Sequence, residues 1–357
     1  MGIKNLNEFL RKNCPDVFEE IHISEYAYKK IAIDISLFLC KYKAICGDRW
    51  VSAFINLVSC LRRNEIHCVF IYDSGSPPEK ADEKAERAKQ REKNEQRLYE
   101  IEIALENYYN TGEINEELSN FYEKIKDKPV NRRLLSNVKK ELIDIELIKL
   151  KIDKMRSNIL NITKEDFELT KDLFRILNIP FYDAPLEAET TCSDLCKRGI
   201  VDAVLSEDTD VLAYSAPIFL TKIDTNLDTC VRLKHSEILN SLEMKDDEFL
   251  DLCIMCGCDY NKNIPKIGPQ NAYKYLQKYK SIDEIAKNTV LDISVLNHVR
   301  TRELFTKYEE INITSIPFCG TPDFEKLTSF IKDNNINMNI DTLKKNFTHN
   351  NLIIYEE

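Results

Sequence analysis

The sequence predicts an α/β fold on a mainly parallel sheet, and three observations predict it: two short apolar runs joined by a helical stretch, a later return of the same order, and acids at the ends of the runs. KKIAIDIS, residues 29–36, and HCVFIYDSG, residues 67–75, are apolar runs bounded by polar residues. Trp50 to Arg63 between them has helical periodicity, which makes a βαβ unit whose right-handed crossover leaves the strands parallel. Functional groups in such sheets gather at the carboxyl ends of strands, where Asp34 and Asp73 stand. Regular order returns at Thr163, where T-K-E-D reads as a capping-box start and Phe167, Phe174 and Leu177 mark an apolar face before Pro180. A further strand follows, then DAPLEAETTCSDLCKRG, a loop entering a helix that stops at Gly199. DAVLSEDTD reads as a strand ending in acids, and PIFLTKI as one more strand.

Between these halves the composition changes. Glu79 to Arg97 alternates Lys, Arg and Glu with hardly any large apolar residue, so it is an exposed helix or partly disordered. Leu135, Val138, Leu142, Ile145, Ile152 and Met155 then recur at three- and four-residue steps or their multiples, which predicts a long amphipathic helix pairing with one around Ile101 to Tyr109. The expected organisation is therefore a core in two parts, 1–78 and 161–247, a helical insertion at 79–160, a helix-hairpin-helix at 248–285, and a region without a motif at 286–357.

A chain of 357 residues with 43% hydrophobic content can bury a substantial core. Lys4 and Asn5 interrupt any secretory signal, no stretch is expected to span a membrane, and Leu6 argues against myristoylation of Gly2. Twelve cysteines without an export signal read as reduced thiols in an intracellular protein. Cys253, Cys256 and Cys258 in CIMCGC read as core rather than zinc ligands, having no second ligand pair. The net charge of −10 excludes a surface coated in positive potential, so contact with nucleic acid would have to come from local basic patches.

Seven carboxylates stand at strand ends or helix starts: Asp34, Asp73, Glu187, Glu189, Asp208, Asp210 and Asp259. Asp favours loops and helix caps whatever the function, so a single D-x-D says little. Strand-end Asp, E-x-E and D-x-D together in parallel α/β order point to a hard-cation site, because so many mutually repelling acids are tolerable only around cations. Two Mg²⁺ ions in such a site suit in-line displacement at a phosphodiester, and Mn²⁺ can substitute.

GCDYNKNIPKIGPQNAYKYLQKYK, residues 257–280, carries a short loop with Gly268 and Pro269 leading into a helix whose first amides would face a phosphate. Lys262, Lys266 and Lys274 add positive charge, and the carbonyls of Asn263, Ile264 and Ile267 could hold a K⁺. Lys80, Lys84, Arg87 and Arg91 recur at helical steps and would form a basic stripe able to follow a single strand.

MGIKNL, IAID, YDSGSPP, DAPLEAE, LSEDTD and GCDYNKNIPKIGP resemble, in order, the flap endonuclease/XPG family of structure-specific nucleases, over roughly residues 1–100 and 163–285. The hairpin and the N-terminal start lie nearest its flap endonuclease branch. The resemblance implies a PIN-like α/β nuclease core, a helical arch and a helix-hairpin-helix (H3TH) that holds duplex. It implies a flap endonuclease, with 5′–3′ exonuclease action possible, serving DNA replication and repair at a nuclear or viral replication site. Asp34, Asp73 and the Glu187/Glu189 pair would hold one metal and Asp208 and Asp210 the other, with Glu187 and Asp259 acting through waters. Lys80 and Arg87 would polarise the scissile phosphate, and Gly2 would lie near the active site.

The chain also departs from that pattern. The insertion is longer than the usual arch, Cys40 stands where the family usually places an aromatic, and Gln270 and Asn271 stand where basic residues are common. The ending NNLIIYEE has no sliding-clamp-binding box. Bubble, junction or exonuclease specificity, an RNA flap, and a non-catalytic scaffold remain alternatives.

Overall fold

A computed structural model describes residues 2–126, 143–159 and 162–348. Seven strands, β1 (Glu19–His22), β2 (Lys30–Asp34), β3 (His67–Tyr72), β4 (Phe181–Asp183), β5 (Ala203–Leu205), β6 (Ile218–Asp224) and β7 (Thr229–Lys234), form one sheet in the order β1-β7-β6-β5-β2-β3-β4. From β6 to β4 all neighbours are parallel, and β7 and β1 add an antiparallel edge. That edge escapes sequence reading, because its half-buried strands are polar: EEIH and TCVRLK.

Alternation along the central strands sorts side chains between two cores. Ala32, Val69, Ile71 and Val204 face one; Ile31, Ile33, Cys68, Phe70, Ala203 and Leu205 face the other. The first is covered by helices α1 (Leu6–Asn13), α8 (Ala188–Lys197), α10 (His235–Leu242), α11 (Asp246–Cys256) and α12 (Pro269–Tyr279). Cys253, Cys256 and Cys258 are buried there as packing residues.

The second core lies under α2 (Ile35–Cys46), α3 (Trp50–Arg63), α7 (Lys164–Ile176), α15 (Phe324–Asp333) and α16 (Ile340–Thr348). Phe70 stacks on Phe174 at 4.0 Å, with Phe54 edge-on to both. The region that shows no motif beyond residue 290 thus closes a core, through Leu327, Phe330, Leu343 and Phe347. The capping box at Thr163 forms with Asp166, and Asn178 turns the chain at positive φ before Pro180.

Ile35–Arg63 is apolar and long enough to cross a membrane by length and composition alone. In the fold it is two helices broken at Gly47, which has φ 52°, packed against each other and the sheet.

The charged stretch after Asp73 and the segment around Ile101 are one continuous helix, α4 (Ala81–Thr111), about 46 Å long at 1.5 Å per residue. Ala, Glu, Lys, Arg and Gln favour helix without a buried face, so its first half stands exposed. Its second half buries Leu98, Ile101 and Ala104 against α5 (Glu116–Ile125) and α6 (Ile145–Asn158), a third small core. The long amphipathic helix expected from residue 135 instead starts at Ile145, because Asp144 caps it by accepting from the Leu147 amide at 3.0 Å. Leu135, Val138 and Leu142, like the NNLIIYEE ending, lie outside the described residues. The remaining helices are α9 (Asp210–Ala213), α13 (Ile282–Asn288) and α14 (His298–Thr306).

Phe174→Ala should cost about 3–5 kcal/mol of unfolding free energy, because truncating a buried Phe leaves a cavity. Denaturant titration checks this, and a loss under about 1 kcal/mol would show that the aromatic stack is not central to the core.

Candidate active site

The parallel register sets the carboxyl ends of β2, β3 and β5 side by side, with Ile33 opposite Phe70 and Leu205. Asp34 ends β2 and caps α2, accepting from the Ser36 amide at 2.8 Å. Asp73 follows β3; its carboxylate accepts from the Ala188 amide at 2.7 Å and from the Ser36 hydroxyl. That amide opens α8, so the positive helix end faces the acid. Glu187 and Glu189 stand at the same helix start, and Asp208 and Asp210 follow β5, the Asp210 amide donating to Asp208 at 2.9 Å.

Carboxylate oxygens of Glu189, Asp208 and Asp210 all lie within 4.8 Å of one another. Both Asp210 oxygens are fully buried without a hydrogen-bond partner among the described residues. One Glu189 oxygen likewise lacks a hydrogen bond, with the Lys80 ammonium 3.5 Å away. Burial, then repulsion by Asp208 and Asp259, pushes the Asp210 carboxyl well above the usual carboxylate range. Burial also leads in raising Asp34, Glu189 and Asp208. Bare, buried, convergent carboxylate oxygens are what a hard cation requires and what an empty core would exclude; the donor set fits divalent metal.

Two cations enter from the root of α4. Lys80 is buried, 2.7 Å from Glu187 and 3.0 Å from Asp259. Burial opposes its charge, yet Glu189, Glu187 and Asp259 hold its ammonium well above the ordinary lysine value. Arg87 lies 3.2 Å from Asp259 and pairs with Glu83. Gly2 touches the D-x-D turn: a Cβ there would collide with Asp208 Oδ1 and sit 2.8 Å from the Asp210 amide nitrogen.

The matching family models are the XPG N-terminal domain over residues 1–94 and the XPG I-region over residues 178–259. The probable RAD2-like endonuclease 369L of Invertebrate iridescent virus 6 is 31% identical, over 99% of this chain and 93% of that protein. The chain belongs to the flap endonuclease/XPG family. Membership makes it a nuclease of the endonuclease class, as the sequence motifs predict. Flap endonuclease 1 of Cryptosporidium parvum is 29% identical over 94% of this chain and 68% of its own length. Among solved structures, the catalytic core of Rad2 with DNA substrate matches at TM-score 0.67 and 16% identity, covering 97% of this chain and 98% of that one. Flap endonuclease-1 from Methanococcus jannaschii matches at 0.59 and 21%, covering 93% and 95%. These two likenesses agree with the α/β nuclease core.

Other expected residues of this family member lie around the acids rather than among them. Lys84 donates to the Ser76 hydroxyl at 2.5 Å, and Arg91 is exposed farther along α4. Lys262 reaches Glu86 of α4 at 3.0 Å, so the loop between α11 and α12 touches α4. Lys266 is an exposed residue at positive φ, and Lys274 is exposed on α12, whose N-cap is Gly268. The Ile264 and Ile267 carbonyls converge on the Asn263 side-chain amide at 3.5 and 3.3 Å. Phe38 and Tyr42 are buried with Phe54, so neither offers a ring in place of the aromatic that Cys40 lacks.

No sequence signal points to the buried tyrosine chain beside these acids. The Tyr260 hydroxyl donates to Glu187 at 2.6 Å and meets that of Tyr214 at 2.7 Å, and both rings pack edge-on against Phe305 of α14. Only the neighbourhood of Asp259 could have drawn attention to Tyr260.

Two outcomes are expected. A carboxyl raised by burial keeps its proton in the folded state at pH values where the unfolded chain is ionised, so stability of the metal-free protein falls as pH rises from about 4 through the raised value. Asp210→Asn should therefore raise the metal-free Tm at neutral pH, by about 1–2 °C per kcal/mol relieved, and blunt the rise in Tm on adding divalent cation; an unchanged or lower Tm would contradict the burial argument. Gly2→Ala, strained at φ 85° as well as crowded, should cut nuclease activity by on the order of tenfold or more with little change in Tm. Unaltered turnover would show that the N-terminus yields freely.

Proposed function

We propose that this protein is a 5′ flap endonuclease, with accompanying 5′–3′ exonuclease activity, that hydrolyses DNA phosphodiesters at junctions between duplex and single strand. The observation that carries the reading is the convergence of the E-x-E and D-x-D carboxylates Glu189, Asp208 and Asp210 beside two cations at the root of α4, with the loop after α11 touching the same helix. Relatives named flap endonuclease 1 support the flap assignment, and the Rad2 core seen with DNA substrate supports DNA as partner.

Two Mg²⁺ ions held by Asp34, Asp73, Glu189, Asp208 and Asp210, with Glu187 and Asp259 beside them, would supply Lewis-acid stabilisation of the attacking and leaving oxygens. Lys80 and Arg87 offer positive charge to the scissile phosphate from the side of α4. Tyr260 fixes the Glu187 carboxylate, and the amide of Ala188 fixes that of Asp73, so the acids stay oriented without reorganising during the reaction. The α11–α12 hairpin would grip duplex backbone through the amides at Gly268 and through Lys262, Lys266 and Lys274, with K⁺ on the Asn263, Ile264 and Ile267 carbonyls. Its distance from the acids would set where along the duplex the cut falls.

End-labelled 5′-flap DNA should be cut at the flap base only with Mg²⁺ or Mn²⁺, leaving a 5′-phosphate, and Asp208→Ala should lower the rate at least about a hundredfold. Bubble, four-way junction, single-stranded and RNA-flap substrates are run beside it. Preferential cutting of bubbles or four-way junctions would overturn flap specificity, and tight flap binding without cleavage of any substrate would overturn catalysis.

A further inference from the structure

The insertion carries two grooves, one between α4 and α6 and one where α4, α5 and α6 meet, and they differ in charge. One is lined by Glu102, Glu106, Tyr109, Lys149, Asp153 and Arg156. Its cations are already engaged and its acids outnumber them: Arg156 pairs with Glu102 at 2.6 Å and with Asp153 at 3.3 Å, and Lys149 lies over the Tyr109 ring. The other, of about 300 Å³, is lined by Asn94, Arg97, Phe121, Lys124, Lys151 and Met155 among others, with no acid in its wall. Among the described residues none of Arg97, Lys124 and Lys151 has a carboxylate within 4.0 Å, and the Arg97 guanidinium lies 6.0 Å over the Phe121 ring. Three cations from three helices around one concave surface make a ready seat for phosphates.

Its position along α4 says which phosphates. Lys84, Arg87, Arg91 and Asn94 follow one another at steps of three and four on one face. The same face continues as Leu98 and Ile101, which are buried under α5 and α6. A strand leaving the acids along this face therefore meets the wall of the insertion at Asn94 and Arg97, where the basic groove opens. Lys80 to Arg97 spans about 25 Å of helix, roughly seven nucleotides at stacked spacing and fewer if extended.

We propose that this groove holds the backbone of the single-stranded arm of the substrate several nucleotides from the scissile phosphate, making cleavage sensitive to flap length. The proposal rests on the flap reading above and adds a strand-binding site built by the insertion itself. Recognition is of phosphate charge and not of bases, because Phe121 is buried beneath the cations and offers no stacking face.

The test is a charge-reversed variant, Arg97→Glu/Lys124→Glu/Lys151→Glu, beside the milder Lys124→Ala/Lys151→Ala, each checked for an unchanged melting profile. Cleavage is measured on DNA flaps of about two and about fifteen nucleotides, short and long against the span of α4. The reversed variant should lose on the order of tenfold or more in kcat/KM on the long flap, mainly through KM, and keep wild-type rates on the short one. The salt dependence on the long flap should weaken by about 0.7 in log–log slope for each phosphate that is no longer neutralised. Equal losses on both flaps, or none on either, would overturn the proposal. Fluorescence anisotropy with a labelled single-stranded oligonucleotide in Ca²⁺ separates the two readings. If wild-type protein cuts no flap, the flap assignment falls, and the groove stands or falls by whether the milder variant weakens strand binding.

Discussion

The structure depends on repulsion between carboxylates that the sheet forces together. Parallel strands end on the same side, so acids placed just beyond the adjacent β5, β2 and β3 are held within about 10 Å, two strand spacings, of one another. Asp210 is wholly buried, and its oxygens meet no donor among the described residues. Such an arrangement opposes folding, since desolvating a carboxylate costs several kcal/mol unless an opposite charge or hydrogen bonds replace the water. The fold offsets part of that cost with Lys80, which contacts Glu187, Glu189 and Asp259 at once. The rest is what bound cations would offset, in an acid cluster that lies between two apolar cores.

Around the cluster, distant parts of the chain act as props. The Lys4 amide donates to the Gly257 carbonyl at 3.0 Å, which ties the N-terminal segment to the start of the hairpin. Gly257 has φ 90°, and a Cβ would strike the Asn263 backbone at 2.9 Å, so only glycine lets the hairpin loop close there. On the other side Phe305 backs Tyr214 and Tyr260, which pass their hydroxyl contacts on to Glu187. The N-terminus, the hairpin and α14 thus converge on one set of acids from three directions, and each is fixed by backbone or packing rather than by the acids themselves.

What the sequence made legible follows from where local signals dominate. The helix from Trp50 to Arg63, the capping box at Thr163 and the Gly199 stop are decided within a few residues, and the fold places them as the pattern predicts. The acid motifs were legible as chemistry because E-x-E and D-x-D at element ends have few structural reasons to coincide. β1 and β7 were not, since EEIH and TCVRLK lack strict alternation and owe their pairing to tertiary context. Tyr260 and Tyr214 were equally silent, because a buried hydroxyl chain is a matter of three-dimensional neighbours. The helix start at Asp144 was hidden by the periodicity of the apolar residues around it, although Asp is a strong cap.

The chain's net charge of −10 and its proposed grip on nucleic acid are compatible because the positive charge is arranged rather than abundant. The first half of α4 carries its Lys and Arg in a stripe, the hairpin loop adds Lys262 and Lys266, and the insertion gathers Arg97, Lys124 and Lys151. Each patch alone offers only a few phosphate contacts, and a surplus of acids elsewhere repels nucleic acid that lies in any other way. A plain duplex could reach the hairpin, and a plain single strand could reach α4. Only a molecule with both arms at a fixed angle could engage all three patches and bring a phosphate to the carboxylates. On the proposed reading, weak basic patches set apart on a negative protein would turn the shape of a junction into affinity, a discrimination that a uniformly basic surface would lose.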